Sequence, residues 1–557
     1  MTWKTVLITA ALGAALVPSV SSACGCFTPP DPTVPVVQAG ERILFAVKDG
    51  IVTAHIQVQY SGGDSDFGWL LPLPSVPSVE VGSDELFAQL LLNTQPRYTM
   101  TTTLDRECAQ PAPPFGYATG GGTGGGSAGG GSGSADAGSG PSVLVVQDSV
   151  GPYDYAVLRA DSKTEMLDWL AQNHYFVPAG TDAAVTPYIH VGSYFLALKL
   201  HPGNSTGDIQ PVVLTYQSDF GIIPLTLTGT GAQDNMGVQV WMLGDGRAIP
   251  RNYHHTVLND AVIDWRSSGA NYNDVVIRAA GEAPGKHTFV TEFSGPGTSV
   301  KNAVAYAGRF GDRAEFEQAP SAAQFVDLLW ARGFSGLTVQ NPYFPVMSPQ
   351  VKSILSKYLP PPTGVTMDTF LANYRYYAAT APLPDYRPVD MAAELWTRVV
   401  EPMRKAGALF DTHPTLTRLY TTISPADMNR DPAFSFNPSL PAVSNRHAAE
   451  MHVHCDKFRA GTETTATLIT EQGWVLEFPR GRFGAPEVPP SDLPASLVVE
   501  ILREEGPAER VIDNLPKLGP VAAKDPSTPA ATCSSVGGVS FGVLGLVALL
   551  VRRRRVL

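Results

Sequence analysis

The chain has 557 residues, of which 44% are hydrophobic and only 16% charged, and its formal net charge is −12. Soluble proteins usually carry about 25% charged residues, so this surface is polar rather than ionic, and its acidic balance argues against nucleic-acid binding. With 53 glycines and 48 prolines the chain is rich in turns, which together with plentiful Thr, Val and Tyr favours a β-rich envelope protein over a helical cytosolic one.

In chain order, residues 1–23 read as a secretory signal peptide. Lys4 gives the positive end, Val6 to Val17 the apolar run and Pro18 a break, and Ser21-Ser22-Ala23 offers signal peptidase a site before Cys24. Such a run is short for a bilayer span. Two alternatives stand beside cleavage. One is an uncleaved anchor. The other is lipid attachment at Cys24, against which Ser21 sits where Leu, Val or Ile is usual.

A β-rich module is expected over residues 24–310. Ile43, Phe45 and Val47 alternate, Asp49-Gly50 turns, and Ile51 to Tyr60 returns, a strong hairpin pattern. Phe67 to Leu73 reads as a buried run, and Ser83 opens a helix with Asp84 and Glu85 in its first turn. Arg97 to Leu104 reads as a strand. Residues 116–140, dominated by Gly and Ser, cannot bury a core. They read as a disordered insertion within one domain, with a domain linker as the alternative. Strands are expected at Val143 to Val146, Tyr153 to Leu158, Tyr194 to Leu200 and Val212 to Tyr216, then at Ile222 to Thr228, Gly237 to Leu243 and Lys286 to Phe293. Ser162 to His174 reads as an amphipathic helix.

Residues 311–430 read as a helical segment, with helices at Ala322 to Arg332, Ser348 to Tyr358, Met367 to Tyr377 and Met391 to Phe410. Thr412 to Pro438 is loop-like and Pro-rich. The region 431–515 returns to short strands at Thr465 to Ile469, Trp474 to Phe478 and Leu497 to Leu502. The expected fold class is therefore α+β, with a β-rich N-terminal module, a helical middle segment, a short β-containing C-terminal region and a single C-terminal transmembrane anchor.

Residues 516–532 form a spacer, and residues 533–557 hold Cys533, the apolar run Val536 to Val551, and Arg552, Arg553, Arg554 and Arg555. A helix of that run rises about 24 Å, marginal for a hydrocarbon core of ~30 Å. The Arg cluster acts as a stop-transfer signal and places the tail in the cytoplasm. Taking away Lys4 and the four tail arginines leaves the exposed part at −17. The order Cys533-Ser534-Ser535, apolar run and Arg cluster resembles the myxobacterial C-terminal sorting tags. That resemblance implies cleavage near Cys533 by a sorting protease, with a permanent single-span anchor as the alternative.

Export favours disulfides among Cys24, Cys26, Cys108 and Cys455. A Cys24–Cys26 bridge closes a small strained ring. Frameworks joining both N-terminal cysteines to Cys108 and Cys455 are preferred, with one bridge plus free thiols as the alternative.

Three segments carry a second resemblance. They are Cys24-Gly25-Cys26-Phe27 with Glu41 to Phe45 and Val52 to Ile56; Asp66-Phe67-Gly68-Trp69 with Gly82 to Phe87; and Leu167-Asp168-Trp169-Leu170 with Phe195 to Leu200. Together they resemble the bacterial domain-of-unknown-function family 2330 over residues 24–300. The resemblance implies one domain in an envelope setting and supplies no catalytic residues.

The densest group of ligating side chains is His447, Glu450, His452 and His454, next to Cys455. A zinc hydrolase needs two His on one helix face and a Glu as base, and the inverted form is H-x-x-E-H. One extra residue before His452 breaks that spacing. On a helix His447, Glu450 and His454 share a face. On a strand His452 and His454 point one way and Cys455 the other. A second group, His254 and His255 with Arg251, Asp260 and Asp264, reads as surface residues in a turn-rich stretch. No nucleophile elbow, P-loop or dinucleotide fingerprint occurs in a supporting context. No catalytic or cofactor-binding residue is assigned, and zinc enters only with the hydrolase alternative. The expected function is an exported, envelope-anchored, non-catalytic structural or binding protein. The alternative is a surface metal-dependent hydrolase centred on His447 to His454.

Overall fold

The computed structural model describes residues 37–61, 68–105, 143–159, 161–175, 181–201, 209–337, 345–380, 386–455, 463–478 and 493–515. The signal segment, Cys24, Cys26, Cys108, the Gly-rich stretch 116–140, the spacer and the tail with Cys533 and Arg552 to Arg555 lie outside them.

The architecture grows from the first hairpin. Val37–Lys48 and Ile51–Ser61 pair antiparallel, with Lys48 opposite Ile51. A two-residue turn that matches strand twist needs positive φ at both positions. Asp49 and Gly50 supply it, at 52° and 72°. Ala232–Gly244 lies parallel to the first strand, and Thr415–Ile423 runs antiparallel to Ala232–Gly244. These strands sit inside a ten-stranded sheet. Thr288–Pro296, His254–Leu258, Ser496–Ile501 and Glu509–Asp513 extend it on one side, and Val212–Gln217 and Ser78–Val81 on the other.

Successive side chains of a strand enter opposite layers. Leu44, Ala46, Trp241, Leu243 and Leu416 meet a helical core on one face. Ile43, Phe45, Val240, Met242 and Leu419 meet a second core on the other. The second core is closed by a four-stranded sheet of Gly68–Leu73, Tyr194–Leu200, Tyr153–Arg159 and Leu144–Val150. Burial of each large apolar side chain contributes about 1.5–3 kcal/mol, so a sheet covered on both faces draws on both cores.

One buried amide, Gln350, bridges three helical elements of the layer. Pro402 has no N–H to reach the Arg398 carbonyl one turn earlier, and the turn Trp396–Val400 is π-helical. Gln350 donates to that Arg398 carbonyl at 2.7 Å. The Ser83 hydroxyl donates to the same amide at 3.1 Å. Ser83 is also the N-cap of Asp84–Thr94, accepting from the Glu85 N–H.

The chain is α+β as expected, and most expected elements are present. Three expectations are corrected. Thr415–Ile423 is a central strand, although it falls in the stretch read as loop; buried on both faces, it shows no clean alternation. Ile222 to Thr228 is not a strand, because Pro224 cannot donate to a ladder and Leu225–Thr228 forms a helical turn. His254–Leu258, read as turn-rich surface, is a strand in which His255 is buried. Among the described residues no helix is long and apolar enough to cross a membrane.

Candidate functional site

The residues expected to hold zinc lie on the strand Arg446–Cys455, which pairs with Arg97–Leu104 and Glu463–Ile469. Ala449, Met451, Val453 and Cys455 are buried on one face. His447 is on that side, stacked on Tyr98 with ring centroids 4.7 Å apart and its Nδ1 3.2 Å from Glu471. Glu450, His452 and His454 are on the opposite side. His452 Nδ1 meets the Thr103 hydroxyl at 2.5 Å, and His454 meets Asp105 at 3.1 Å and Thr467 at 3.2 Å. The helical arrangement is thus corrected: the period-two burial of 449, 451, 453 and 455 makes a strand and separates His447 from the other three. Among the described residues no group of three or more His, Cys, Asp or Glu is placed to hold a metal ion.

The second polar group is also dispersed. His255 Nδ1 lies 3.0 Å from Glu500, and Arg251 pairs with Glu504 at 3.1 Å. Asp260 accepts from the Thr470 hydroxyl and the Gln472 N–H, each at 2.8 Å. Asp264 accepts from the Ser267 N–H at 3.1 Å. His255 and Glu500 face each other on paired strands of the large sheet, and Asp260 ties the turn after His254–Leu258 to the segment around Thr470.

What the fold does bring together is a polar cleft of ≈ 470 Å³ on the helical side of the ten-stranded sheet. Its floor is Arg42, Gln239, Glu292, Arg418 and Tyr420, one or two from each of four neighbouring strands. Its walls are Leu91 and Gln95 at the end of Asp84–Thr94, Tyr98, and Tyr272 and Asn273 from the helix Tyr272–Glu282. Thr291 opposes Leu419 and Phe293 opposes Arg418, so Glu292 is the extra residue of a bulge. Bulges re-aim a side chain, and this one sets Glu292 against Arg418.

Arg418 and Glu292 are 6% and 1% exposed, a fully buried ion pair. Arg418 Nε donates to Glu292 Oε2 at 2.5 Å, and Arg418 Nη2 donates to Gln239 Oε1 at 2.8 Å. Gln239 Nε2 donates to Glu292 Oε2 at 3.2 Å, and the Tyr272 hydroxyl donates to Glu292 Oε1 at 2.6 Å. Both oxygens of Glu292 are therefore engaged. The Arg418 guanidinium also lies 5.4 Å from the Trp241 ring centre. Burying a pair in this way is tolerable only with such a full set of partners.

Burial, and then the Glu292 charge, push the Tyr272 phenol well above its ordinary range. Burial pushes Tyr420 up to about 12. Arg42 is lowered by burial first and by Arg418 second. It donates to Gln57 at 3.2 Å, which donates to Asp84 at 2.5 Å. Burial raises Asp84 to about 6. Two guanidinium groups, Arg42 and Arg418, stand on the floor of the cleft with Glu292, and Glu41 also lines it. Gly269 shapes the rim: its φ is +79°, and a Cβ there would lie 2.5 Å from the Tyr98 ring.

No cleft residue stands out in the sequence as a candidate site residue, although Arg42 falls in one of the segments that carry the family resemblance. A signal was present: Gln239 between Val238 and Val240, Glu292 before Phe293, and Arg418 before Leu419 put polar groups inside apolar strands. A buried polar group is the informative exception to hydrophobic burial.

A family model described as an uncharacterized protein conserved in bacteria (DUF2330) matches residues 18–317. No curated protein matches the chain, and no solved structure matches it.

Proposed function

We propose, for a chain that belongs to the DUF2330 family of uncharacterized bacterial proteins, a non-catalytic binding role at the cell envelope with the polar cleft as its site. The observation that carries this reading is the pair of guanidinium groups, Arg42 and Arg418, on a tyrosine-walled floor where the Glu292 carboxylate is fully engaged. A site with convergent polar groups and perturbed titrations is the default place for a ligand. The ligand class that fits is a small hydroxylated anion. Its carboxylate meets Arg42 and Arg418, and its hydroxyls meet the amides of Gln95 and Asn273 and the Tyr420 phenol.

Export and tethering complete the reading. Their support is the N-terminal apolar run before Cys24 and the apolar run before Arg552 to Arg555. Cys455, buried at the end of its strand, pairs with another cysteine of the exported chain. Peptide mass spectrometry of the native protein checks the ends: a chain starting at Cys24 is expected, and an intact residue 1–23 segment contradicts export by cleavage.

The site is tested by thermal unfolding of the full chain with glucuronate, glucose and glucosamine. A ligand that binds the folded state raises the midpoint as its concentration passes Kd. Glucuronate is expected to stabilise most and to lose its effect in Arg42→Met. No stabilisation by glucuronate, or the same stabilisation in the variant, contradicts the reading.

A further inference from the structure

The opposite face of the same sheet holds a second cavity, of ≈ 420 Å³ and largely apolar, between the two sheets. Ile43 and Phe45 of the first strand, Ile56 of the second, and Leu71 and Leu73 of the smaller sheet line it. That volume is within the ~300–1,000 Å³ of small-molecule sites. Tyr188 and Asp431 stand at its edge, where the tyrosine hydroxyl donates to the aspartate at 2.5 Å and the Thr226 N–H donates to it at 2.8 Å. Asp431 is thus already engaged.

Glu41 is different. By strand alternation its side chain shares the face of Ile43 and Phe45, and it lines the cavity. The residue is 3% exposed, and its Oε2 has no hydrogen-bond partner among the described residues. A carboxylate in an apolar wall without a partner costs stability, and a bound donor relieves that cost. From this geometry we infer that the cavity is a binding site for an apolar molecule carrying one ammonium group, whose N–H bonds meet Glu41 while its apolar body fills the space between Phe45 and Leu71. The cavity lies on the other face of the strand Val37–Lys48 from the polar cleft, and Glu41, in that strand, lines both.

The test is calorimetric titration of the full chain in lipid nanodiscs, with empty nanodiscs subtracted, using 2-phenylethylamine, 2-phenylethanol and 3-phenylpropionate. The amine is expected to bind about tenfold tighter than the alcohol, as one charge-assisted hydrogen bond confers, and the acid weakest. In Glu41→Gln the amine is expected to fall to the level of the alcohol. Leu71→Trp, which fills the cavity, is expected to abolish binding of both, and it keeps the test decisive if Glu41→Gln does not fold. Equal binding of amine and alcohol, tightest binding of the acid, retention of the amine preference in Glu41→Gln, or no binding of any probe overturns the proposal.

Discussion

Glu41 and Arg42 are neighbours in the chain, yet they serve two sites built on opposite principles. On the helical face a carboxylate, Glu292, is buried with Arg418, Gln239 and Tyr272 around it. On the other face a carboxylate, Glu41, is buried with one oxygen unmatched, among Ile43, Phe45 and Leu71. The first arrangement completes itself beside a second guanidinium, Arg42. The second is incomplete until something enters. The difference shows that burial of charge is not one phenomenon: the partners decide whether it stabilises a fold or reserves a site.

The largest expected effect comes from breaking the completed side. Arg418→Met strands Glu292 in the interior and is expected to cost about 3–5 kcal/mol in urea unfolding. The double variant Arg418→Met, Glu292→Gln is expected to recover much of that loss. An equal loss in the double variant contradicts the claim that the pair is a matched unit.

The incomplete side responds in the opposite sense. Burial raises Glu41 from 4.5 to about 7, so the folded chain holds this proton more tightly than the unfolded chain. The stabilising contribution is complete below the unfolded value and is lost as pH rises through the folded one. Glu41→Gln is therefore expected to stabilise the protein at pH ~8 by about 3 kcal/mol relative to its effect at pH ~4. A pH-independent effect of the substitution argues that Glu41 is already satisfied.

Smaller effects come from the scaffolding of the cleft. Gly269→Ala sets a Cβ against Tyr98 at a positive φ, and a loss of about 1–3 kcal/mol is expected by thermal unfolding. Ser83→Ala removes an N-cap and the hydrogen bond to Gln350, for about 1 kcal/mol. A neutral Gly269→Ala shows that Tyr98 does not hold the rim in place.

Legibility in the sequence follows from how each element is covered. The hairpin at Asp49-Gly50 and the helix opened by Ser83 announce themselves through local chemistry, a turn and a cap, and both are where expected. Thr415–Ile423 is invisible locally, because a strand buried on both faces and rich in Thr has neither period nor turn signal. The cleft inherits that blindness. Arg42, Gln239 and Glu292 fall within the family match over residues 18–317, while Arg418 and Tyr420 come from beyond it. Only the sheet brings them to one place. The His447 to His454 group shows the reverse. It is dense in sequence, but strand alternation divides it between two faces.

The most direct measurement is a calorimetric titration of glucuronate into the full chain and into Arg42→Met, side by side. One site per chain, weakened at least about tenfold in the variant as loss of a charge-assisted bond requires, is the predicted result. No heat from either protein, or the same Kd in both, contradicts the assignment of the cleft as the binding site.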